Sequence, residues 1–200
     1  PYQKAVSGVD ALAQAIESFW SVQSTEESML YSEKALKLVW NNLSDVVHKG
    51  DKLAHLKLAI GANLAGRAIN IAKTTAPHAL AYGFTKHAGL PHGHAVALTL
   101  PYFLKVHNQI NDKNCNDPRG TKHIDSIFER IKDIFKTNIS EHALKDFFNE
   151  INLDVDIRSL NLSKEILLTI IENINTQRLA NNPLKINKED IINFLINKEK

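Results

Sequence analysis

The stretch KTTAPHALAYGFTKHAGLPHGHAV, Lys73 to Val96, holds four of the nine histidines of this 200-residue chain, set among two prolines and three glycines. Thr75 and Pro77 read as an N-cap and an early helical position, which starts a short helix through Tyr82. Gly89 and Pro91 break it, and a second helix follows from about Gly93 to His107, with Pro101 as a kink. The stretch is therefore a corner where two helices meet, and such a corner can aim imidazoles into one space.

Working outward, helical periodicity runs in both directions. Ser7 and Asp10 have capping-box spacing before Val9, Leu12, Ala13, Ile16 and Phe19, which predicts a first helix from near Gly8. Ser24 and Glu27 repeat the signal for a helix to about Asn42. From Asp51 to about Ala72 a long helix turns rich in Ala, Gly and Ile, small residues that let neighbours approach closely and predict a central place in the bundle. Beyond the polar loop at 111–121, the best internal boundary of a domain spanning 1–200, amphipathic helices are predicted near 122–136, 140–151, 163–175 and 188–197. No run of alternating β-branched residues occurs. The expected fold is an all-α multi-helix bundle.

Composition narrows the function. The hydrophobic fraction of 44% suits a chain with a real core, and a formal charge of +2, from 24 basic and 22 acidic residues, leaves no footprint for nucleic acid or an anionic membrane. The lone Cys115 excludes an internal disulfide, and no stretch approaches the roughly 20 apolar residues of a membrane span. A cytoplasmic protein is expected. The chain enters a helix within a few residues of its start and lacks an initiator methionine, as expected of a domain cut from a longer chain.

His78 and His92 lie on different elements, both near a helix start. Imidazole with carboxylate is a ligand set for Fe(II), Zn(II) or a similar ion. The plainer reading makes His78 a core histidine satisfied by a carbonyl, and His92 a turn residue. On the first helix Asp10 and Gln14 are four apart and share a face that also carries Ala13 and Glu17. Asp10 there is either a capping-box carboxylate or a ligand.

The segments GVDALAQAIESF (8–19), LAGRAIN (64–70), PHALAYGF (77–84) and GLPHGHAVALTLPYFLKVHN (89–108), and more loosely RLANNPLKINKEDIINFL (178–195), together resemble the helical domain of the iron-containing alcohol dehydrogenase family. In detail they look most like the branch that reduces phosphonoacetaldehyde. The resemblance implies the metal-binding helical half of a two-domain dehydrogenase of dehydroquinate synthase-like architecture. It implies metal ligands at Asp10, His78 and His92, and a fourth at Gln14, where the family usually has histidine. Tyr82 stands where a further histidine is often found, and its phenol could relay a proton. The implied cofactors are a divalent metal, Fe2+ or else Zn2+, and NAD(P). No strand followed by a G-x-G-x-x-G turn occurs here, so the nicotinamide falls to a nucleotide-binding domain absent from this chain, which is the expected partner. The chain alone should fold, expose the face that meets that domain, and not turn over; a homodimer is a further expectation. Lys73, Thr74 and Thr75, ahead of His78, form a candidate anion cradle for the substrate. The alternatives are a dehydroquinate synthase-like lyase and a non-catalytic helical interaction domain.

Overall fold

A computed structural model describes residues 1–135 and 140–197. Its helices in chain order are α1 (Tyr2–Trp20), α2 (Glu26–His48), α3 (Lys52–Ala72), α4 (Ala76–Ala88), α5 (His92–Ala97), α6 (Leu100–His107), α7 (Thr121–Phe135), α8 (Glu141–Glu150), α9 (Lys164–Glu172), α10 (Thr176–Ala180) and α11 (Lys188–Leu195), with a 3-10 turn at Ile157–Leu160. Among the described residues there is no strand, only an isolated antiparallel bridge between Cys115 and Leu184. The all-α expectation holds. No helix among them is long and apolar enough to cross a membrane.

Several boundaries differ from the predicted ones. The first helix begins at Tyr2, six residues before the expected start, with Ala5 N–H already bonded to the Pro1 carbonyl at 3.0 Å. Ser7 and Asp10 are thus interior positions. The capping box of α2 sits one residue later, on Thr25 and Ser28, and the helix continues to His48. The single kinked helix predicted from Gly93 to His107 is two helices, parted at Leu98 and Thr99. Pro101 lies in the first turn of α6, where its missing N–H removes no helical bond. The predicted end of α7 at 136 lies outside the described residues.

The central helix is α1 and not α3. Its buried residues run from Ala5 to Trp20 around nearly the whole circumference. The small residues of α3 do permit close approach, but only on one face: a Cβ on Gly61 would stand 3.3 Å from the Ala35 carbonyl oxygen and 2.9 Å from a Val39 methyl. On the opposite face Leu53, Leu56 and Ile60 are exposed.

The corner's position follows from two glycines. Gly93, in the first turn of α5, presses against α1, where a Cβ would come within 2.0 Å of the Val6 carbonyl oxygen and 3.0 Å of Asp10 Cβ. Only glycine permits that approach, and it brings His92 beside Asp10. Gly89, at φ +67, ends α4 in the left-handed conformation that turns the chain toward α5. The polar 111–121 loop is stitched to the segment before α11, with Asn116 N–H on the Pro183 carbonyl at 2.7 Å and Lys185 N–H on that of Asn114 at 2.9 Å.

Candidate metal centre

Asp10 on α1, His78 on α4 and His92 on α5 meet where the three helices converge. His78 Nε2 lies 3.4 Å and His92 Nε2 3.9 Å from the same oxygen, Asp10 Oδ1. One ligand atom from each residue lies within 4.8 Å of the others. Donors this close can each reach about 2 to 2.5 Å from a shared ion after small side-chain rotations. Asp10 Oδ1 is buried without a hydrogen-bond partner, an arrangement that costs free energy unless a cation or proton satisfies it. The three residues fit a divalent metal.

The supporting contacts are as informative as the donors. Gln14 Nε2 donates to Asp10 Oδ2 at 2.9 Å, which steers Oδ1 toward the histidines. Gln14 therefore reaches the cluster first through its nitrogen, as an orienter of the aspartate. The larger surprise is Glu17. It is fully buried on the same face of α1, two turns beyond Asp10, and its carboxylate accepts a short hydrogen bond from His78 Nδ1. Its other oxygen takes the Thr75 N–H at 2.7 Å and the Thr75 hydroxyl at 2.9 Å, while Trp20 Nε1 donates to that hydroxyl at 2.9 Å. A carboxylate on Nδ1 fixes the tautomer and rotation that present Nε2 to an ion. Sequence reasoning noted Glu17 on the Asp10 face and gave it no role. The signal was there: it is the one charged residue between Ala11 and Trp20.

The electrostatics follow. Burial disfavours the charged form of His78, but the carboxylates of Glu17 and Asp10 outweigh it and push the imidazole up to about 9. His92 goes the other way, lowered by burial and by the neighbouring His78 cation. The centre thus favours positive charge at one point, which a proton occupies when a metal does not.

The other expected residues divide. Tyr82 stands beside the centre, its ring 5.1 Å from that of His92 and about half exposed. Lys73, Thr74 and Thr75 do not form one cradle. Thr75 is fully buried with its N–H and hydroxyl both spent on Glu17, so it braces the centre. Lys73 Nζ donates to the Asn70 carbonyl at 2.8 Å, on the end of its own helix, where the helix dipole favours a cation. Thr74 is buried and accepts from Arg178. His94 lies apart: it accepts from the Tyr2 hydroxyl at 2.8 Å and donates to the Asp154 carbonyl at 2.5 Å.

An all-α bundle with a carboxylate and two imidazoles converging between three helices is a metal-binding helical domain. Residues 4–198 match the model of the Fe-containing alcohol dehydrogenase family, C-terminal part, and the chain belongs to that family. It is 32% identical over 192 residues to a phosphonoacetaldehyde reductase of Streptomyces viridochromogenes, covering 92% of this chain and 46% of that protein. It superimposes on a sulfoacetaldehyde reductase from Bifidobacterium kashiwanohense, solved with NAD+, with a TM-score of 0.81 at 29% identity, over 96% of this chain and 49% of the other. An alcohol dehydrogenase from Oenococcus oeni gives a TM-score of 0.84 at 25% identity, over 98% and 51%. The chain spans about half the length of these relatives. They are oxidoreductases, and neither the lyase reading nor the interaction-domain reading gains support from them.

Proposed function

We propose that this chain is the metal- and substrate-binding half of a cytoplasmic NAD(P)-linked aldehyde reductase acting on phosphonoacetaldehyde or a small aldehyde of similar charge. The observation that carries the reading is the convergence of His78 and His92 on one buried oxygen of Asp10 that accepts no hydrogen bond. A divalent ion held there, Fe2+ by the character of the family, supplies Lewis-acid polarisation of a carbonyl oxygen. The chain's own residues do the rest. Glu17 holds His78 Nδ1–H and so keeps Nε2 on the centre; Gln14 holds Asp10 Oδ2, and its amide oxygen is the atom left for a fourth ligand. Tyr82, beside His92 and half exposed, would pass a proton to the substrate oxygen, and a nicotinamide held by the nucleotide-binding domain would supply the hydride. The relatives named for two-carbon anionic aldehydes support the substrate class.

The test uses the full-length protein. NADH or NADPH oxidation is followed with phosphonoacetaldehyde and with propanal, before and after removal and return of Fe2+ or Zn2+. The expected result is metal-dependent reduction with kcat/KM at least about 100-fold higher for phosphonoacetaldehyde, as a fixed charge contact provides. Reduction that survives complete metal removal would overturn the mechanism, and equal turnover of both aldehydes would overturn the substrate.

A further inference from the structure

We infer that Arg178 is the residue that reads the substrate's charge, its guanidinium binding a tetrahedral oxyanion carried on the carbon next to the aldehyde. The inference rests on the aldehyde-reductase reading above and names the group that would set its specificity.

Arg178 lies in α10, a five-residue helix 104 positions from the threonine it touches. One of its five N–H donors goes to Thr74 Oγ1, and its guanidinium carbon sits 5.1 Å above the Tyr82 ring. Tyr82 is in turn 5.1 Å from His92, so one aromatic ring touches both the guanidinium and a residue of the metal centre. Among the described residues no carboxylate pairs with Arg178. Arg119, Arg130 and Arg158 each hold a carboxylate, on Asp117, Glu33 and Asp156; Arg67, which lies over the Tyr31 ring and bonds its hydroxyl, faces a cavity that Glu27 also lines. A guanidinium fixed by a buried hydroxyl and an aromatic face, with its remaining fork unpaired, matches phosphonate or sulfonate geometry.

The surroundings agree. A cavity of about 590 Å³ opens beside Arg178, lined also by Lys73, Thr74, Asn175, Gln177 and Asn181, and by no acidic residue. The metal ligands do not line it; Arg178 lines it and also lies over Tyr82, the ring beside His92. The short helix is not free to drift. Asn181 Nδ2 donates to the carbonyls of Ala72 at 2.8 Å and Thr74 at 3.0 Å, and Ser21 Oγ donates to Asn181 Oδ1 at 2.9 Å. These buried bonds latch α10 to the segment that carries His78. Lys73 contributes positive potential to the wall, but its ammonium already serves Asn70.

The experiment takes full-length, metal-loaded enzyme as wild type, Arg178→Gln and Arg178→Lys. It measures kcat and KM for phosphonoacetaldehyde, sulfoacetaldehyde and propanal, and competitive inhibition by methylphosphonate. The ratio of kcat/KM for phosphonoacetaldehyde over propanal should fall about 100-fold in Arg178→Gln, through KM, with methylphosphonate inhibition weakening in parallel. Arg178→Lys, which keeps the charge and loses the fork, should fall about 10-fold. Of the two anionic aldehydes, the one with the larger loss is the oxyanion the site is built for. If the losses are equal on all three aldehydes, Arg178 serves Tyr82 or the fold and the inference is overturned. It is equally overturned if wild type prefers the anionic aldehydes and Arg178→Gln keeps that preference. A wild type without the preference removes the substrate reading itself.

Discussion

Two buried histidines are tied to Trp20, one through Thr75 and Glu17 and one by direct ring contact, and they behave in opposite ways. For the first, the indole N–H holds Thr75, which holds Glu17, which holds His78; that imidazole is pushed up to about 9. For the second, the indole meets the ring of His107 edge-on at 4.5 Å, and burial drives that imidazole down to about 3, only partly offset by Asn182. Both side chains are almost without exposure. What separates them is the pair of carboxylates on the α1 face. Burial alone makes a histidine neutral and structural, whereas burial beside Asp10 and Glu17 makes a place that holds a cation.

The comparison breaks most completely at a ligand. In the full-length protein His78→Ala should lower retention of Fe2+ or Zn2+ at least about 100-fold, as the loss of one of three ligands implies. Metal content after dialysis against a weak chelator reads this directly, and retention at the wild-type level would place the metal elsewhere. The next effect sharpens the contrast by touching the carboxylate alone. Glu17→Gln keeps the shape and removes the charge that fixes His78, and should weaken metal affinity about 10- to 100-fold. At saturating metal much of kcat should return, because Glu17 orients a ligand and touches no substrate. Unchanged affinity would reduce Glu17 to a packing residue.

The smallest effect belongs to His107. Its folded-state value lies below the ordinary 6.5, so the unfolded chain takes up the proton first. The neutral imidazole's contribution to stability is therefore complete above 6.5 and is lost as pH falls from 6.5 toward about 3. In chelator-treated protein, His107→Asn should flatten the acid limb of Tm against pH by a few degrees between pH 7 and 4.5. The slope is the readout, because the substitution also changes packing against Trp20. An unchanged slope would mean that His107 is not held neutral.

Much of the centre is legible in the sequence. Asp10, His78 and His92 were reached from residue type, from the Gly89–Pro91 break and from a family resemblance. Glu17 was within reach as a lone charge seven residues past Asp10 in an apolar run, two helical turns along the same face. Arg178 was not. Nothing near it in sequence distinguishes it from a solvated helix residue, and its partners Thr74 and Tyr82 lie about a hundred positions earlier. Thr75 shows the reverse case. Its capping signal was right about where α4 begins, yet its hydroxyl makes no cap bond, because Glu17 offers a buried charged acceptor that outcompetes the helix end.

The sequence by itself determined the all-α class, the extent of the helix from Lys52 to Ala72, and which residue types meet at the corner. Those properties depend on periodicity, capping and chain breaks over a few residues, where each position constrains its near neighbours. The tertiary structure alone decided that α1 is the central helix, that Gly93 lets α5 close on Asp10, that Glu17 holds His78, and that Arg178 stands over Tyr82. Each of these depends on which faces pack together across tens of residues, and such pairings are selected by the burial and hydrogen bonding of the whole bundle.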